Sequence, residues 1–69
     1  MIKVDVRGLS CPEPVLITMD EMDANEGKEI VVLCDEAHTR KNIEIMLQHN
    51  GKKYEVNEIG SEFEITIKP

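Results

Sequence analysis

Two thiols, Cys11 and Cys34, stand out in this chain, and the first sits among residue types that change what a thiol does. Cys11 lies in Arg7-Gly8-Leu9-Ser10-Cys11-Pro12-Glu13-Pro14. Proline is tolerated in the first turn of a helix, where the amide hydrogen it lacks would have no intrahelical acceptor and its fixed φ already suits the helix. Two prolines around a glutamate therefore mark a helix start, with Cys11 at or next to the N-cap. A helix N-terminus carries roughly half a positive charge and unpaired N–H groups. Both favour thiolate over thiol, lowering a cysteine from its reference pKa of about 8.5. Cys11 is thus a candidate nucleophile. Glu13 suits the first helical turn but opposes a thiolate if it faces the sulfur, so it is expected to point away. Gly8 allows a sharp turn between a strand and that helix.

Cys34 closes the apolar run Ile30-Val31-Val32-Leu33-Cys34. If the strands are parallel, its end lies on the same sheet edge as Cys11. A disulfide or a resolving thiol then becomes feasible once the Cα atoms come within about 7 Å. Cys34 also shares a face with Ile30 and Val32, and cysteine is among the most buried residue types, so a core position is the favoured expectation. His38 together with the two cysteines lacks the tight ligand spacing of a zinc site, and no metal is expected. His38, Arg40 and Lys41 form a basic cluster early in a second helix. With Arg7 it would stabilise a sulfur anion or steer an anionic donor; a solvated helix face is the simpler account.

The elements that must hold these groups follow from periodicity. Residues 2 to 7 alternate, Ile2, Val4 and Val6 against Lys3, Asp5 and Arg7, as in a half-buried strand. From Pro12 to about Asn25, Val15, Met19 and Met22 recur at helical spacing with Leu16 on the flank, and Gly27 supplies a stop. On that stripe Ile17 projects away from the core, as Ile45 does on the second helix; Ile17, one turn from Cys11, is the better docking candidate. Residues 29–34 read as an interior strand paired on both sides. Asp35 and Glu36 open the second helix, whose stripe is Ile43, Met46 and Leu47 and which Gly51 closes. Tyr54 and Val56, then Phe63, Ile65 and Ile67, read as a hairpin turning at 59–62. A strand–helix–strand crossover is right-handed and joins parallel strands. The order is β-α-β-α-β-β with at least three alternating strands. It gives an α/β two-layer sandwich, a four-stranded mixed sheet with both helices on one face, as a single domain over residues 1–69.

Fourteen acidic against eight basic side chains leave a formal charge of −6, which disfavours direct nucleic-acid binding. With 41% hydrophobic and 32% charged residues the chain has the composition of a globular domain, not a disordered one. No apolar stretch approaches a membrane span, and Met1-Ile2-Lys3 leads into a strand instead of a secretory leader. A cytoplasmic protein with free thiols and no membrane insertion is expected.

Val4-Asp5-Val6-Arg7-Gly8-Leu9-Ser10-Cys11-Pro12-Glu13-Pro14-Val15 resembles the N-terminal signature of the TusA (SirA-like) sulfur-carrier family, small proteins with a Cys-Pro-x-Pro motif after the first strand. Gly27-Lys28-Glu29 before an apolar strand, then an acidic pair and a second helix, is similar to the family's later layout, so the resemblance runs the whole chain. It implies that Cys11 carries sulfane sulfur as a persulfide, as a sulfurtransferase-like carrier more than a stand-alone turnover enzyme. Arg7, Gly8, Pro12, Glu13, Pro14, Ile17 and Arg40 are the expected binding surface around it, and no cofactor is implied. The implied partners are proteins: a cysteine desulfurase or rhodanese-like donor, and an acceptor. A membrane transporter is a further partner open to such a carrier. In this family the sulfur goes to tRNA thiolation, molybdenum cofactor synthesis or sulfur oxidation. Relatives often have a proline after the acidic pair and an aspartate before the helical isoleucine; here these are Ala37 and Asn42, which leaves donor and acceptor open. Two alternatives stand beside the carrier. One is a thiol redox module using a Cys11/Cys34 disulfide, and the other a non-catalytic interaction or regulatory domain, including selenium-linked roles.

Overall fold

Alternation near the N-terminus, two helical stripes and a hairpin produce six elements. The computed structural model describes residues 1–69 and orders them as β1 (Ile2–Asp5), α1 (Glu13–Ala24), β2 (Ile30–Cys34), α2 (Ala37–His49), β3 (Tyr54–Ile59) and β4 (Glu62–Ile67). The strands form one sheet in the order β1-β2-β4-β3. β1 and β2 run parallel with Ile2 opposite Ile30 and Val4 opposite Val32, as a crossover through α1 requires. β4 lies antiparallel to both β2 and β3. The expected mixed four-stranded sheet and element order are those of the structure. β3 and β4 join through Gly60-Ser61, where Gly60 takes φ +62°, a backbone conformation that favours glycine.

One core holds the layers together. Val4, Val6, Ile30, Val32, Cys34, Ile65 and Ile67 of the sheet meet Ile43, Met46 and Leu47 of α2, all buried. The period-2 pattern of the strands thus faces the helices, and the 43/46/47 stripe of α2 is the one read from the sequence. On the opposite face Val31 is also buried, at the centre of the sheet between Lys3 and Thr66 in register.

The face of α1 differs from expectation. Its buried residues are Pro14 and Thr18, flanked by the partly buried Val15, Ile17 and Met22, whereas Leu16 (53% exposed) and Met19 (40% exposed) face solvent. The stripe was expected to run through Val15, Met19 and Met22. Two residues that periodicity does not count as apolar rotate it. Pro14 brings an apolar ring with no N–H to satisfy. The Thr18 hydroxyl donates to the Pro14 carbonyl oxygen at 2.7 Å, which lets it enter the core satisfied. Ile17 consequently packs against the core and is not the outward docking residue it was expected to be. Ile45 is exposed, as the stripe of α2 required.

Candidate functional site

The candidate site is the connection from β1 into α1. Sheet pairing continues one residue past β1, with the Val6 amide donating to Leu33 O at 2.9 Å. The chain then turns at Gly8, whose φ of +77° lies in the region that L side chains rarely adopt. The Gly8 N–H donates to Asp35 Oδ1 at 3.3 Å, so the residue after β2 ties down the turn after β1. Leu9 N–H closes on Val6 O at 3.3 Å, and Glu13 N–H on Ser10 O at 3.0 Å. The Cys11–Pro12 peptide is cis, Pro12 is the N-cap of α1, and no side chain caps the helix. Cys11 therefore sits directly ahead of the N-cap, as the prolines implied.

Cys11 is exposed, and its Sγ accepts a hydrogen bond from Asn42 Nδ2 of α2 at 3.1 Å. This corrects the expected source of donors. Helix-start N–H groups were to serve the sulfur, but Pro12 and Pro14 carry none and the Glu13 N–H is taken by Ser10. The donor instead comes from the other helix. In the sequence Asn42 is marked only by its departure from a family pattern. Its place one residue before the buried Ile43, toward the N-terminal half of α2, was the signal for a side chain at the edge of the core.

A basic cluster of Arg7 with His38, Arg40 and Lys41 was the alternative to a solvated helix face, and the structure engages both arginines elsewhere. The Arg7 guanidinium donates to Asp5 (Nη2–Oδ2, 2.8 Å) and reaches Glu62 (Nη1–Oε2, 3.2 Å). The hydrogen bonds from Arg7 hold the Asp5 carboxyl down at about 2, and the same carboxylates raise the guanidinium further above its ordinary value. Asp5, Arg7, Gly8, Leu9, Asp35 and Glu62 line a shallow open cleft, with three carboxylates to one cation. Arg40 also turns inward. It pairs with Glu44 at 2.6 Å and lies 4.9 Å above the Phe63 ring. His38 Nε2 stands 3.8 Å from Glu36. Both arginines are thus engaged by carboxylates of this chain. Glu13 and Pro12 are exposed beside the thiol, and Pro14 is a core residue.

Cys34 is wholly buried among Ile30, Val32 and Ile65 in the core cluster, and both cysteines are free. Burial, aided by the nearby Asp35 and Glu44 and opposed by Arg40, pushes its thiol up to about 11. The expected core position is the one it occupies. No group of three His, Cys, Asp or Glu side chains is placed to hold a metal ion, and no helix is long and apolar enough to cross a membrane.

The chain has counterparts among known proteins. Residues 2–69 match the family model described as Sulfurtransferase TusA. The chain is 39% identical over 70 residues to a candidate sulfur carrier protein of Methanocaldococcus jannaschii, a match covering 99% of this chain and 93% of that one. It also superposes on the crystal structure of a SirA-like protein from Desulfitobacterium hafniense with a TM-score of 0.87 and 28% identity, covering 97% and 95% of the two chains.

Proposed function

The chain belongs to the TusA sulfurtransferase family, and on that premise we propose that it is a sulfur carrier whose Cys11 accepts sulfane sulfur as a persulfide and relays it to an acceptor protein. The observation that carries this reading is the contrast between the thiols. Cys11 is exposed at the entry to α1 with a donor on its sulfur, and Cys34 is enclosed.

Loading balances without an external oxidant. The Cys11 thiolate attacks the outer sulfur of a donor's persulfide. A Cys11 Sγ–S bond forms, the donor's S–S bond breaks, and the donor sulfur leaves with the electron pair as a thiolate. Delivery is the reverse exchange: an acceptor thiolate attacks the outer sulfur and Cys11 Sγ departs as the thiolate. Donor and acceptor are both proteins presenting a reactive cysteine. A Cys11/Cys34 disulfide module has less support, because Cys34 is closed off by the core and its thiol is held neutral.

Intact-protein mass spectrometry after incubation with a cysteine desulfurase and cysteine tests the proposal on wild type, Cys11→Ser and Cys34→Ala. A gain of one sulfur mass in wild type and Cys34→Ala that is absent from Cys11→Ser is expected. Loss of two hydrogens that requires both cysteines, with no added sulfur, would instead establish the redox module.

A further inference from the structure

We propose that Asn42 is a sulfur-contacting residue of the carrier site, its side-chain amide stabilising Cys11 Sγ as an anion and above all as the leaving thiolate when sulfur is delivered. The inference deepens the persulfide-carrier function and rests on it for the delivery step.

Sγ lies 3.1 Å from Asn42 Nδ2, within hydrogen-bond reach. A neutral N–H donor on a charged acceptor makes a stronger bond than on a neutral one, so the contact strengthens as negative charge gathers on Sγ. Few competitors exist. Pro12 and Pro14 lack amide hydrogens, Glu13 N–H is taken by Ser10 O, no side chain caps α1, and the Val15 N–H, left without a backbone partner, makes no bond to Sγ. Arg7 is paired with Asp5 and Glu62, and Arg40 with Glu44.

Asn42 is also well anchored. It stands on α2 between the buried Thr39 and Ile43, so its backbone is fixed by the core and the amide is in place before any sulfur arrives. A neutral donor suits a carrier. It supports the anion without the full ion pair that a cation would form, and the sulfur has to leave again.

The two half-reactions differ in their dependence on this bond. In loading, a stabilised thiolate is more abundant but intrinsically less nucleophilic, and the two effects oppose each other. In delivery, Sγ is the leaving group, and a better-stabilised leaving thiolate departs faster. Asn42 therefore acts chiefly on delivery.

The test uses the full chain as wild type, Asn42→Ala, which removes the donor, and Asn42→Asp, which keeps the shape and places a carboxylate beside the sulfur. Cyanide serves as a defined acceptor. It attacks the outer sulfur of loaded Cys11, forms thiocyanate and releases the Cys11 thiolate. With melting temperatures unchanged, Asn42→Ala is expected to slow thiocyanate release at neutral pH by roughly three- to tenfold, and iodoacetamide alkylation, in which Sγ is the nucleophile, by a smaller factor. Asn42→Asp is expected to slow both further, and the ultraviolet thiolate absorbance should fall in the same order. A merely structural role would move none of these at constant stability.

Both variants releasing thiocyanate within about twofold of wild type, with equal thiolate absorbance, would overturn the assignment. The carrier function fails separately, by the wild type taking up no sulfur. The alkylation and absorbance series needs no donor and still decides whether Asn42 holds the sulfur. Unfolding of one variant leaves the other to decide the same comparison.

Discussion

A thiol's surroundings decide what it does, and the two cysteines of this chain occupy opposite extremes. Cys34 is 0% exposed, and its thiol is raised from 9.0 to about 11, chiefly by burial. At neutral pH it is neutral and unreachable, whereas Cys11 is exposed. Native alkylation followed by mass analysis should place one label, on Cys11, and a second label should appear only after denaturation. The same burial makes a stability prediction of definite sign. A group whose folded pKa exceeds its unfolded one binds its proton longer in the native state, so its contribution is complete below the unfolded value and is lost as pH rises through the folded one. For Cys34 that window runs from pH 9.0 to about 11, and each unit of separation corresponds to about 1.4 kcal/mol. The stability difference between wild type and Cys34→Ala, read from urea midpoints, should therefore fall across this window. A difference that stays constant from below pH 9.0 to about 11 would show that Cys34 is solvated in the native state.

At the scale of elements, the site depends on how β1 hands the chain to α1. Gly8 makes that turn at φ +77°, and a Cβ added there meets nothing within 4 Å, so only backbone strain opposes a substitution. A left-handed conformation costs an L residue roughly 1–2 kcal/mol, and Gly8→Ala should lower stability by about that amount. If the turn shifts to relieve the strain, the Gly8 N–H to Asp35 bond is the one to go, and Cys11 alkylation changes with it. An unchanged urea midpoint for Gly8→Ala would contradict the positive φ. The elements themselves were legible in the sequence, because period-2 and period-3.6 patterns and the prolines encode them locally. The face of α1 was not, because its centre is a proline and a back-bonded threonine, both counted as non-core by hydropathy. Ile17 was placed outside for the same reason. The partners of the site residues were also hidden. Asn42 meets Cys11 across 31 positions and Arg7 meets Glu62 across 55, separations that only the folded chain closes.

Across the whole molecule, a chain of 69 residues has little stability to lose. At about 0.05–0.15 kcal/mol per residue, the total for this length is roughly 3–10 kcal/mol. A single core of ten buried residues supplies it, and Leu47 of α2 is 0% exposed at its centre. Truncating a buried leucine to alanine costs about 2–5 kcal/mol, the lost transfer energy plus the cavity left behind. Leu47→Ala should therefore remove about a fifth of the total or more and lower the urea midpoint while leaving the slope of the transition unchanged. Leu16 offers the matched control. It is the same residue on the other helix, 53% exposed, and alanine is at least as good a helix former. Leu16→Ala should stay within about 0.5 kcal/mol of wild type. Together the pair tests the rotation of α1 found here. If the stripe ran through Val15, Met19 and Met22, Leu16 would flank the core and its truncation would cost clearly more than that, whereas the face centred on Pro14 and Thr18 puts Leu16 in solvent.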